Sequence, residues 1–550
     1  MLKTFCQSNL PSIALGLILI LGLYPQSGDN PFMLAPTLLL TGALIFFNRL
    51  TKIPTNDPML LLILGLYLTW GATGLASAVP FPTKVTWVIF AVLPLTYLYV
   101  RTFSKTDLTG PLALFGSALA LHIIYEYAQG INRPDSIFDD SNLAGITLAI
   151  CILAAQMNKR TSYALFLMLP SLFLTESRTA LLAIIAGAIM FAALDDKDKL
   201  KQFIKGKMFR YSTLAILVML GLNLYMTGFG DRILNTVEQS QGRIAIWTAS
   251  LTMAAEHPLT GFGLGTFHLN YPPFRLEGDD SLGLMAHNEP LQTAVESGWI
   301  AMTLLYAIFG LGLYRAVKTR NKFSASILSV LFVSIHLTYP LHVVGLMMIL
   351  AISLAKTAPT SDEQIKTPIL FSSVLLITFL CTTIIALSAG YTFLLWREAS
   401  SAAKFQDQGK FDAAITACFN QGDKQFPDCH VMAARFLSLS QKSDPNELEY
   451  HLLESYRRNP LNPELPYLRA RFLQIREPHN TEQLPPLLDE SLRRDPTYWR
   501  SREMAIKLLM AQNNYKDAKK YLEQGLIYPY SGQVRDIFIT LRAQINAHLN

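Results

Sequence analysis

Long apolar runs separated by short polar loops dominate about the first 400 residues of the chain. A helix that crosses a bilayer needs about 20 mostly apolar residues. Runs near that length begin at about Ser12, Phe32, Met59, Thr86, Leu108, Leu143, Tyr163, Thr179, Tyr211, Leu291, Phe323, Leu341 and Leu370. The pattern predicts an all-α fold: a polytopic helical membrane protein with about 12–13 transmembrane helices.

Every second loop between these runs is basic. The basic residues include Arg49 and Lys52, Arg101 and Lys105, Lys159 and Arg160, a group from Lys197 to Arg210, and Arg315 to Lys322. Short basic loops remain in the cytoplasm. The alternation therefore predicts that these loops and the N-terminus are cytoplasmic, and that the intervening loops face the other side.

One apolar stretch, Phe323 to Ala355, is 33 residues long. As a single helix it would measure about 50 Å, too long for one span. It contains Pro340, and proline breaks a helix. The stretch is interpreted as two short spans joined by an outward turn at His336 to His342. The alternative is one long tilted helix, which would place the C-terminus in the cytoplasm instead of outside.

Two regions lie outside the predicted spans. Within a transmembrane domain of residues 1–396, a loop over about 228–290 is long enough to be functional. The C-terminal domain, residues 397–550, carries prolines at 33- to 36-residue spacings: Pro427, Pro460, Pro496 and Pro529. That period resembles the 34-residue tetratricopeptide repeat, whose stacked helix pairs form docking surfaces. An unrelated helical bundle is the alternative.

Cysteine chemistry in the C-terminal domain depends on its location. Cys418 and Cys429 lie 11 residues apart. If the domain is outside the cytoplasm, a disulfide between them is allowed. Two buried thiols remain the other interpretation.

Composition agrees with a membrane protein and excludes several classes. Hydrophobic residues make up 51% of the chain and charged residues only 16%, against about 25% charged in soluble domains. No HExxH, paired CxxC, Walker A or GxSxG motif occurs. The run from Gly261 to Gly265 is interpreted as a glycine-rich turn. No metal, cofactor or nucleic-acid partner is therefore expected.

Polar residues near the predicted outer ends of the spans are the candidate functional groups, since such residues are costly at membrane depth. Arg178 and Arg243 suit an anionic head group, because guanidinium binds phosphate oxygens bidentately. His287 could take a proton near neutral pH. The remaining candidates are Asn142, His336, and the helix-face set Asn288, Gln292 and Glu296. Each has a plainer interpretation: arginines snorkel to lipid phosphates, and polar side chains hold helices together.

Four stretches of the sequence resemble the bacterial family of O-antigen ligases, O-antigen polymerases and protein O-oligosaccharyltransferases. They are Phe138 to Gly145, Glu176 to Ala180, Gly242 through Trp247 to Gly263, and His287 to Gln292 with Glu296 to Gly298. The resemblance covers roughly residues 10 to 400.

The resemblance implies metal-independent transfer of a glycan from an undecaprenyl-diphosphate carrier to a hydroxyl acceptor at the periplasmic face of the inner membrane. It implies that His287 is the catalytic histidine, that Arg178 and Arg243 bind the diphosphate, and that Asn142 lines the same cavity. The remaining substrate-binding candidates are Asn288, Gln292, Glu296, His336 and Tyr339. Attack opposite the leaving diphosphate would invert the anomeric carbon.

Two features favour the protein-glycosylating branch, which modifies pilins. His336 to Leu341 resembles a His-x-x-Glu-Tyr-Pro-Leu pattern that includes Tyr339. Here the first spacing is one residue shorter and Thr338 replaces the glutamate. The repeat-like C-terminal domain is the second feature, and it would help to dock a pilin-like acceptor in the periplasm. Alternatives are an O-antigen ligase or polymerase with a saccharide acceptor, a lipid-linked glycan transporter, and a non-catalytic scaffold.

Overall fold

The computed structural model of the protein describes most of the chain between residues 57 and 549. The described residues are 15–16, 19, 23, 57–102, 107–138, 140–194, 236–277, 279, 281, 283–358, 427–438, 444–479, 481–528, 530 and 532–549. The predicted spans that begin near Phe32, Tyr211 and Leu370, and most of the one near Ser12, lie outside these residues. So does Cys418.

Every regular element in the described residues is helical, which agrees with the predicted all-α class. The helices before the C-terminal region are α1 Pro58–Ala72, α2 Pro80–Phe90, α3 Val92–Thr102, α4 Thr109–Ala128, α5 Ser141–Gln156, α6 Leu165–Leu174, α7 Arg178–Ala193, α8 Thr236–Glu256, α9 Phe267–Asn270, α10 Glu289–Lys318, α11 Lys322–Ile335 and α12 Val344–Ala355. Short 3₁₀ turns occur at Thr73–Leu75, Ser162–Ala164, Pro272–Phe274 and Pro340–His342.

Within the described residues, four helical segments have the length and hydropathy to cross a membrane. They are Pro58–Leu75, Pro80–Arg101, Thr109–Ala128 and Glu289–Lys318. Five further apolar helices are shorter: Ser141–Gln156, Ser162–Leu174, Arg178–Ala193, Lys322–Ile335 and Val344–Ala355. All nine coincide with runs that the sequence predicted as spans. The total of 12–13 spans stays a prediction.

The apolar stretch 323–355 forms a helical hairpin. Helices α11 and α12 are separated by the 3₁₀ turn at Pro340–His342. The Asn321 side chain, at the start of α11, donates to the carbonyl of Lys356 at the end of α12 over 3.1 Å. The two helices are therefore antiparallel, as the two-span interpretation predicted. At 14 and 12 residues, they would measure only about 21 and 18 Å.

The predicted cytoplasmic loops meet at one end of this bundle. Asp57 caps α1 and accepts a 2.9 Å bond from Arg315 at the end of α10. Arg101, at the end of α3, lies 3.8 Å from the same carboxylate, and the Tyr97 hydroxyl donates to it. These three helix ends therefore share one buried polar cluster, while the candidate site residues gather at the opposite end.

The bundle core is one continuous cluster of apolar side chains from α1 to α7 and α10 to α12. Helices α7 and α11 approach closely at Gly187, where a Cβ would meet the backbone oxygen of Ser326 at 3.0 Å. Small residues permit such close approach between membrane helices. This packing joins α7, which begins at Arg178, to the hairpin that carries the His336–His342 turn.

Helix α10 is kinked at Gly298, which has a φ of 79°. The glycine-rich run binds to the kink: Phe262 and Gly263 donate backbone hydrogen bonds of 2.9 Å to the carbonyls of Val295 and Glu296. Trp299, just past the kink, donates to the Pro258 carbonyl over 2.9 Å. The run is therefore a turn, as interpreted from the sequence, and it is hydrogen-bonded to α10 at the kink. The kink separates the segment after His287 from the long span that follows.

The described C-terminal region is a succession of helices in which each packs on the next. They are α13 Pro427–Leu437, α14 Pro445–Arg458, α15 Glu464–Arg476, α16 Leu484–Arg494, α17 Trp499–Ala511, α18 Tyr515–Leu526 and α19 Gly532–Leu549. Pro460 and Pro496 follow helix ends as predicted, whereas Pro427 begins a helix because its missing N–H is not needed there. The tetratricopeptide assignment and the domain boundary at 396/397 stay predictions.

Candidate active site

His287 lies in a loop that is held from both sides. It has a left-handed backbone, with a φ of 51°, which is unfavourable for a residue with a side chain. The preceding residue, Ala286, donates its N–H to Gln292 over 3.0 Å and accepts from the indole of Trp247 over 2.9 Å. These bonds fix the backbone before the histidine against α8 and α10, which stabilises the strained conformation.

The two residues after His287 bind the turn of the α11–α12 hairpin. Asn288 caps α10 through its side-chain oxygen and donates from its amide to the His336 carbonyl over 3.2 Å. Glu289 accepts from the Leu341 N–H over 2.8 Å and from His342 over 3.1 Å. The His287 loop and the hairpin turn therefore form one rigid unit.

Glu289 places a carboxylate at the turn where the family pattern has a glutamate and this chain has Thr338. Thr338 is fully buried, and its hydroxyl has no hydrogen-bond partner among the described residues. The acid thus reaches the turn from a neighbouring helix. Glu289 is not among the site residues that the sequence predicts.

Tyr339 and Asp140 connect the hairpin turn to the start of α5. The Tyr339 hydroxyl donates to Asp140 over 3.0 Å, and the Tyr339 ring packs edge-on against His287 with ring centroids 5.3 Å apart. Asp140 also caps α5 by accepting from the Asn142 N–H over 2.7 Å. Tyr339 was a predicted site residue, whereas Asp140 was not.

Three arginines and Asp140 form a charged group centred on Arg243. The pKa of Arg243 is lowered, and burial is the largest cause. The negative charge of Asp140 opposes this shift, whereas the positive charges of Arg133 and Arg178 add to it. Arg243 makes no hydrogen bond or ion pair within the described part of the chain. Arg178, the first residue of α7, is exposed. Guanidinium groups in such an arrangement suit an anionic ligand.

Arg133 was not predicted from the sequence. It lies in the loop after α4, has a φ of 58°, and donates to the Ser141 hydroxyl over 2.8 Å. Nothing in the local sequence distinguishes it from other loop arginines, because its approach to Arg243 comes from helix packing. The left-handed residues Ser136, Glu176 and His287 belong to loops of the same end. Strained residues of this kind cluster at functional sites.

The surroundings of His287 favour its neutral form. Burial is the largest effect and lowers the pKa of His287; Asp140 and Asp279 partly oppose it, while Arg243 adds to it. Its Nδ1 atom is buried and has no hydrogen-bond partner among the described residues. A neutral imidazole with a vacant nitrogen can accept a proton from a hydroxyl group.

Asn142, the second residue of α5, contacts the residue that precedes α7. Its side-chain oxygen accepts from the hydroxyl of Ser177 over 2.9 Å, and Ser177 caps the helix that begins at Arg178. This contact fixes the start of α7 relative to Asp140. Asn142 therefore orients the arginine-bearing helix end, and its predicted contact with substrate stays a prediction.

Gln292 and Glu296 share a helix face, as predicted, and are bonded to each other over 3.3 Å. Glu296 also accepts backbone bonds from Gly265 at 2.9 Å and Phe267 at 3.1 Å. Gln292 lies 3.4 Å from the Nε2 of His342. Both side chains are therefore engaged by the protein, and together with His342 they connect the glycine-rich turn to Glu289.

His336 is directed away from the His287 group. Its Nδ1 lies 2.7 Å from the Phe332 carbonyl and its Nε2 lies 3.0 Å from the Tyr306 hydroxyl. Only its backbone carbonyl reaches the site, as the acceptor for Asn288. The structure thus brings Arg178, Arg243, Asn142, His287 and Tyr339 to one locus and leaves the His336 ring in a helix-packing role.

No group of three or more His, Cys, Asp or Glu side chains that could hold a metal ion occurs in the described part of the chain. The chemistry available at this site comes from arginine, histidine and carboxylate groups.

Comparison with known protein families gives one match. Residues 163–306 match the family model described as O-antigen ligase. The matched segment is about a quarter of the chain and includes Arg178, Arg243 and His287, but not Asp140 or Tyr339. No match was found among curated proteins.

The match supports the O-antigen ligase family, and with it a glycosyltransferase-type enzyme that uses a lipid-linked saccharide donor. Together with the apolar helices it fits a membrane protein. The match does not distinguish between branches of the family.

Proposed function

We propose that the protein transfers an oligosaccharide en bloc from an undecaprenyl-diphosphate carrier to a serine or threonine hydroxyl of a periplasmic acceptor protein such as a pilin. The observation that carries this proposal is the gathering of Arg178, Arg133 and Asp140 around Arg243, beside a histidine whose pKa burial lowers. Arginines suit a diphosphate, and a neutral histidine suits a hydroxyl acceptor.

In this mechanism, Arg178 and Arg243 bind the diphosphate and stabilise the negative charge that develops as it leaves. The acceptor oxygen forms a bond to the anomeric carbon while the bond from that carbon to the diphosphate oxygen breaks. The diphosphate departs with the electron pair. His287 receives the acceptor proton, or orients the hydroxyl that loses it, and the anomeric configuration inverts.

The location follows from the same proposal. The active site and the C-terminal domain face the periplasm of a bacterial inner membrane, with the lipid carrier reaching the site from the bilayer. Cys429 is disulfide-bonded, and disulfides persist in oxidising compartments such as the periplasm. Cys418, which the sequence suggests as its partner, lies outside the described residues. Docking of the acceptor on the C-terminal helices is part of the proposal.

An O-antigen ligase or polymerase with a saccharide acceptor is the second candidate function. It is favoured by the description of the matching family model. The same arginines and histidine would serve it, because only the acceptor differs. Under this alternative the C-terminal helices have no acceptor protein to dock, and removing residues 397–550 should leave activity intact.

The test is reconstitution in a bacterial host that makes a lipid-linked glycan, lacks any ligase and co-expresses candidate pilins. Intact-mass spectrometry of the pilins is compared for the wild type and for His287→Ala, Arg178→Ala and Arg243→Ala at matched membrane levels. A glycan-sized mass increase is expected from the wild type, and at most a trace of it from each variant. Glycan on lipid A core or in longer chains, with none on any pilin, favours the second candidate. Normal yield from all three variants contradicts the proposed site.

A further inference from the structure

A cavity of ≈ 360 Å³ adjoins the His287 loop, within the usual range of about 300–1,000 Å³ for ligand pockets. Its apolar lining comes mainly from α2, the residues before His287 and the hairpin: Val85, Ile89, Phe90, Leu284, Met285 and Val343. Its polar lining includes Gln292, Glu296, His342, Tyr339 and His268. The diphosphate-binding role proposed for the arginines does not involve this space.

Tyr339 is the link between the cavity and the proposed reaction centre. Its ring lines the cavity and packs against His287, and its hydroxyl binds Asp140, whose charge acts on Arg243. The cavity and the arginine group therefore both adjoin the His287–Tyr339 pair, at different positions. In an inverting transfer the acceptor approaches from the side opposite to the leaving diphosphate. A space beside the His287 loop whose described lining contains no arginine is suited to the acceptor.

The charges around the cavity exclude most anionic ligands. Among the described residues that line it there is no lysine or arginine. The imidazole of His342 is paired with Glu289 at 3.1 Å, and Glu296 contributes a carboxylate that is 2% exposed. A phosphorylated or acidic saccharide would lack a counter-charge here, whereas uncharged side chains would bury apolar surface against Ile89, Phe90 and Met285.

His268 is a polar lining residue of this cavity whose ring is open to a ligand. It follows the glycine-rich turn, is exposed, and makes no hydrogen bond within the described residues. Gln292, Glu296 and Tyr339 are each engaged by other protein groups. His268 is thus available to bind a peptide amide or carbonyl of a bound segment.

We propose that this cavity is the acceptor subsite, and that it takes an uncharged side chain next to the acceptor serine or threonine of a polypeptide, with His268 bonding the backbone of that segment. This inference rests on the proposed function and names how its acceptor is selected. The subsite gives the enzyme a preference for acceptors that carry an uncharged side chain next to the glycosylated serine or threonine.

The experiment uses the purified full-length protein with a lipid-linked oligosaccharide. Five peptides serve as acceptors, identical except for the residue before a single serine: Ala, Leu, Phe, Glu or Lys. The Leu and Phe peptides should have the lowest KM, and the Glu peptide the highest. His268→Ala should raise the KM for acceptor by about threefold to tenfold, the range for one hydrogen bond between uncharged groups. The KM for donor should not change, and His268→Gln should recover part of the loss.

A second variant tests the space itself without altering a buried residue. Leu284 lines the cavity and is 55% exposed, so Leu284→Trp should fold and should narrow the entrance. It should raise the KM of the Phe peptide and leave the Ala peptide unaffected. Matched controls are His257→Ala and Leu276→Trp, which alter exposed residues of the same loop outside the cavity lining. Neither control should change any KM.

The outcomes separate this inference from the function on which it rests. Peptide transfer without any preference, or with His268→Ala equal to the wild type, overturns the cavity assignment and leaves the proposed function standing. A raised donor KM in His268→Ala would instead place a donor sugar in the cavity. Transfer only to saccharide acceptors overturns the peptide subsite. Absence of transfer from the wild type to peptide and saccharide acceptors alike contradicts the proposed function itself.

Discussion

The hydroxyl of Tyr339 donates a 3.0 Å hydrogen bond to Asp140, a residue 199 positions earlier in the chain. The same tyrosine ring packs against His287. Tyr339 therefore links the start of α5, where Asp140 lies, to the ring of His287.

Removing the Tyr339 hydroxyl should slow transfer while the protein remains folded. Tyr339→Phe leaves Asp140 without one of its hydrogen bonds, and a bond to a charged group contributes about 1.5–3 kcal/mol. We expect kcat to fall by roughly one to two powers of ten, with little change in donor KM. Steady-state kinetics on the reconstituted enzyme measure this. Tyr314→Phe, an exposed tyrosine of α10, is the control, and equal kcat in both variants would refute the coupling.

The pH dependence of transfer should move in opposite directions when Asp140 and Arg243, two charges that act on His287, are changed. In the proposed mechanism His287 acts in its neutral form, so activity should fall as the pH drops through its pKa. Asp140 raises and Arg243 lowers the pKa of His287. Asp140→Asn, which still caps α5, should shift the acidic limb of kcat/KM to lower pH, and Arg243→Ala should shift it to higher pH. In the wild type that limb should lie below the ordinary histidine value of 6.5, because burial is the largest effect.

Because both substitutions reduce activity, the pH profiles are measured on the activity that remains. Profiles that move in the same direction, or do not move, would show that the titrating group is not His287. His257→Ala provides a baseline in which a distant histidine is removed.

Arg133 should contribute to donor binding although it was not found from the sequence. Its positive charge acts on Arg243, so it should strengthen the attraction of the proposed diphosphate site for an anion. Arg133→Ala should raise the KM for the lipid-linked donor by about tenfold, comparable to the loss of one charge-assisted hydrogen bond, and Arg133→Lys should lose less. The acceptor KM should be unchanged. Arg160→Ala, at an exposed loop arginine, should behave as the wild type.

The ion pair between Glu289 and His342 should make the stability of the hairpin depend on pH. Burial lowers the pKa of His342, but the carboxylates of Glu289 and Glu296 outweigh burial and raise it to about 8. Because the folded value lies above the unfolded one, the pair stabilises the protein fully below pH 6.5, and the stabilisation is lost as the pH rises through about 8. The melting temperature in detergent should therefore exceed that of His342→Gln at pH 6, and the gap should narrow by pH 9.

Glu289→Gln should reduce this pH dependence and should also lower kcat, since displacing a catalytic group by about 1 Å can cost 100-fold. Glu277→Gln is the matched control at an exposed glutamate of the same loop. If the difference in melting temperature between the wild type and His342→Gln stayed constant with pH, the ion pair would not be the source of that difference.

Two buried histidines predict acid sensitivity in the C-terminal region. His430 and His451 lie with their Nδ1 atoms 2.8 Å apart. Burial, with Arg458 and His451, lowers the pKa of His430 to about 3. The unfolded state therefore binds more protons below pH 6.5, and stability is lost as the pH falls below that value. Hydrogen exchange of peptides from 427–458 should accelerate between pH 7 and 5 after correction for intrinsic rates. His430→Gln should exchange with a weaker pH dependence.

The sequence by itself determined the class of the protein and most of its helix positions. Apolar runs of membrane length and the proline in Tyr339-Pro340-Leu341 are local signals, because hydrophobicity and the missing proline N–H act on the chain in any context. They predicted nine helices that the structure contains and the break in the 323–355 hairpin. The residue types also indicated Arg178, Arg243 and His287, since guanidinium and imidazole chemistry is readable from a single position.

Tertiary structure alone decided which polar groups meet. Asp140 reaches Tyr339, Glu289 reaches the hairpin turn in place of Thr338, and Arg133 approaches Arg243, all through contacts between separate helices. The same packing directs the ring of His336 toward the Tyr306 hydroxyl. It also brings the carboxylate of Glu296 to the glycine-rich turn, where it accepts a hydrogen bond from the Gly265 N–H. A one-dimensional pattern specifies the face of a helix but not the neighbour of that face. The partner of each buried polar group is therefore fixed only when the helices pack.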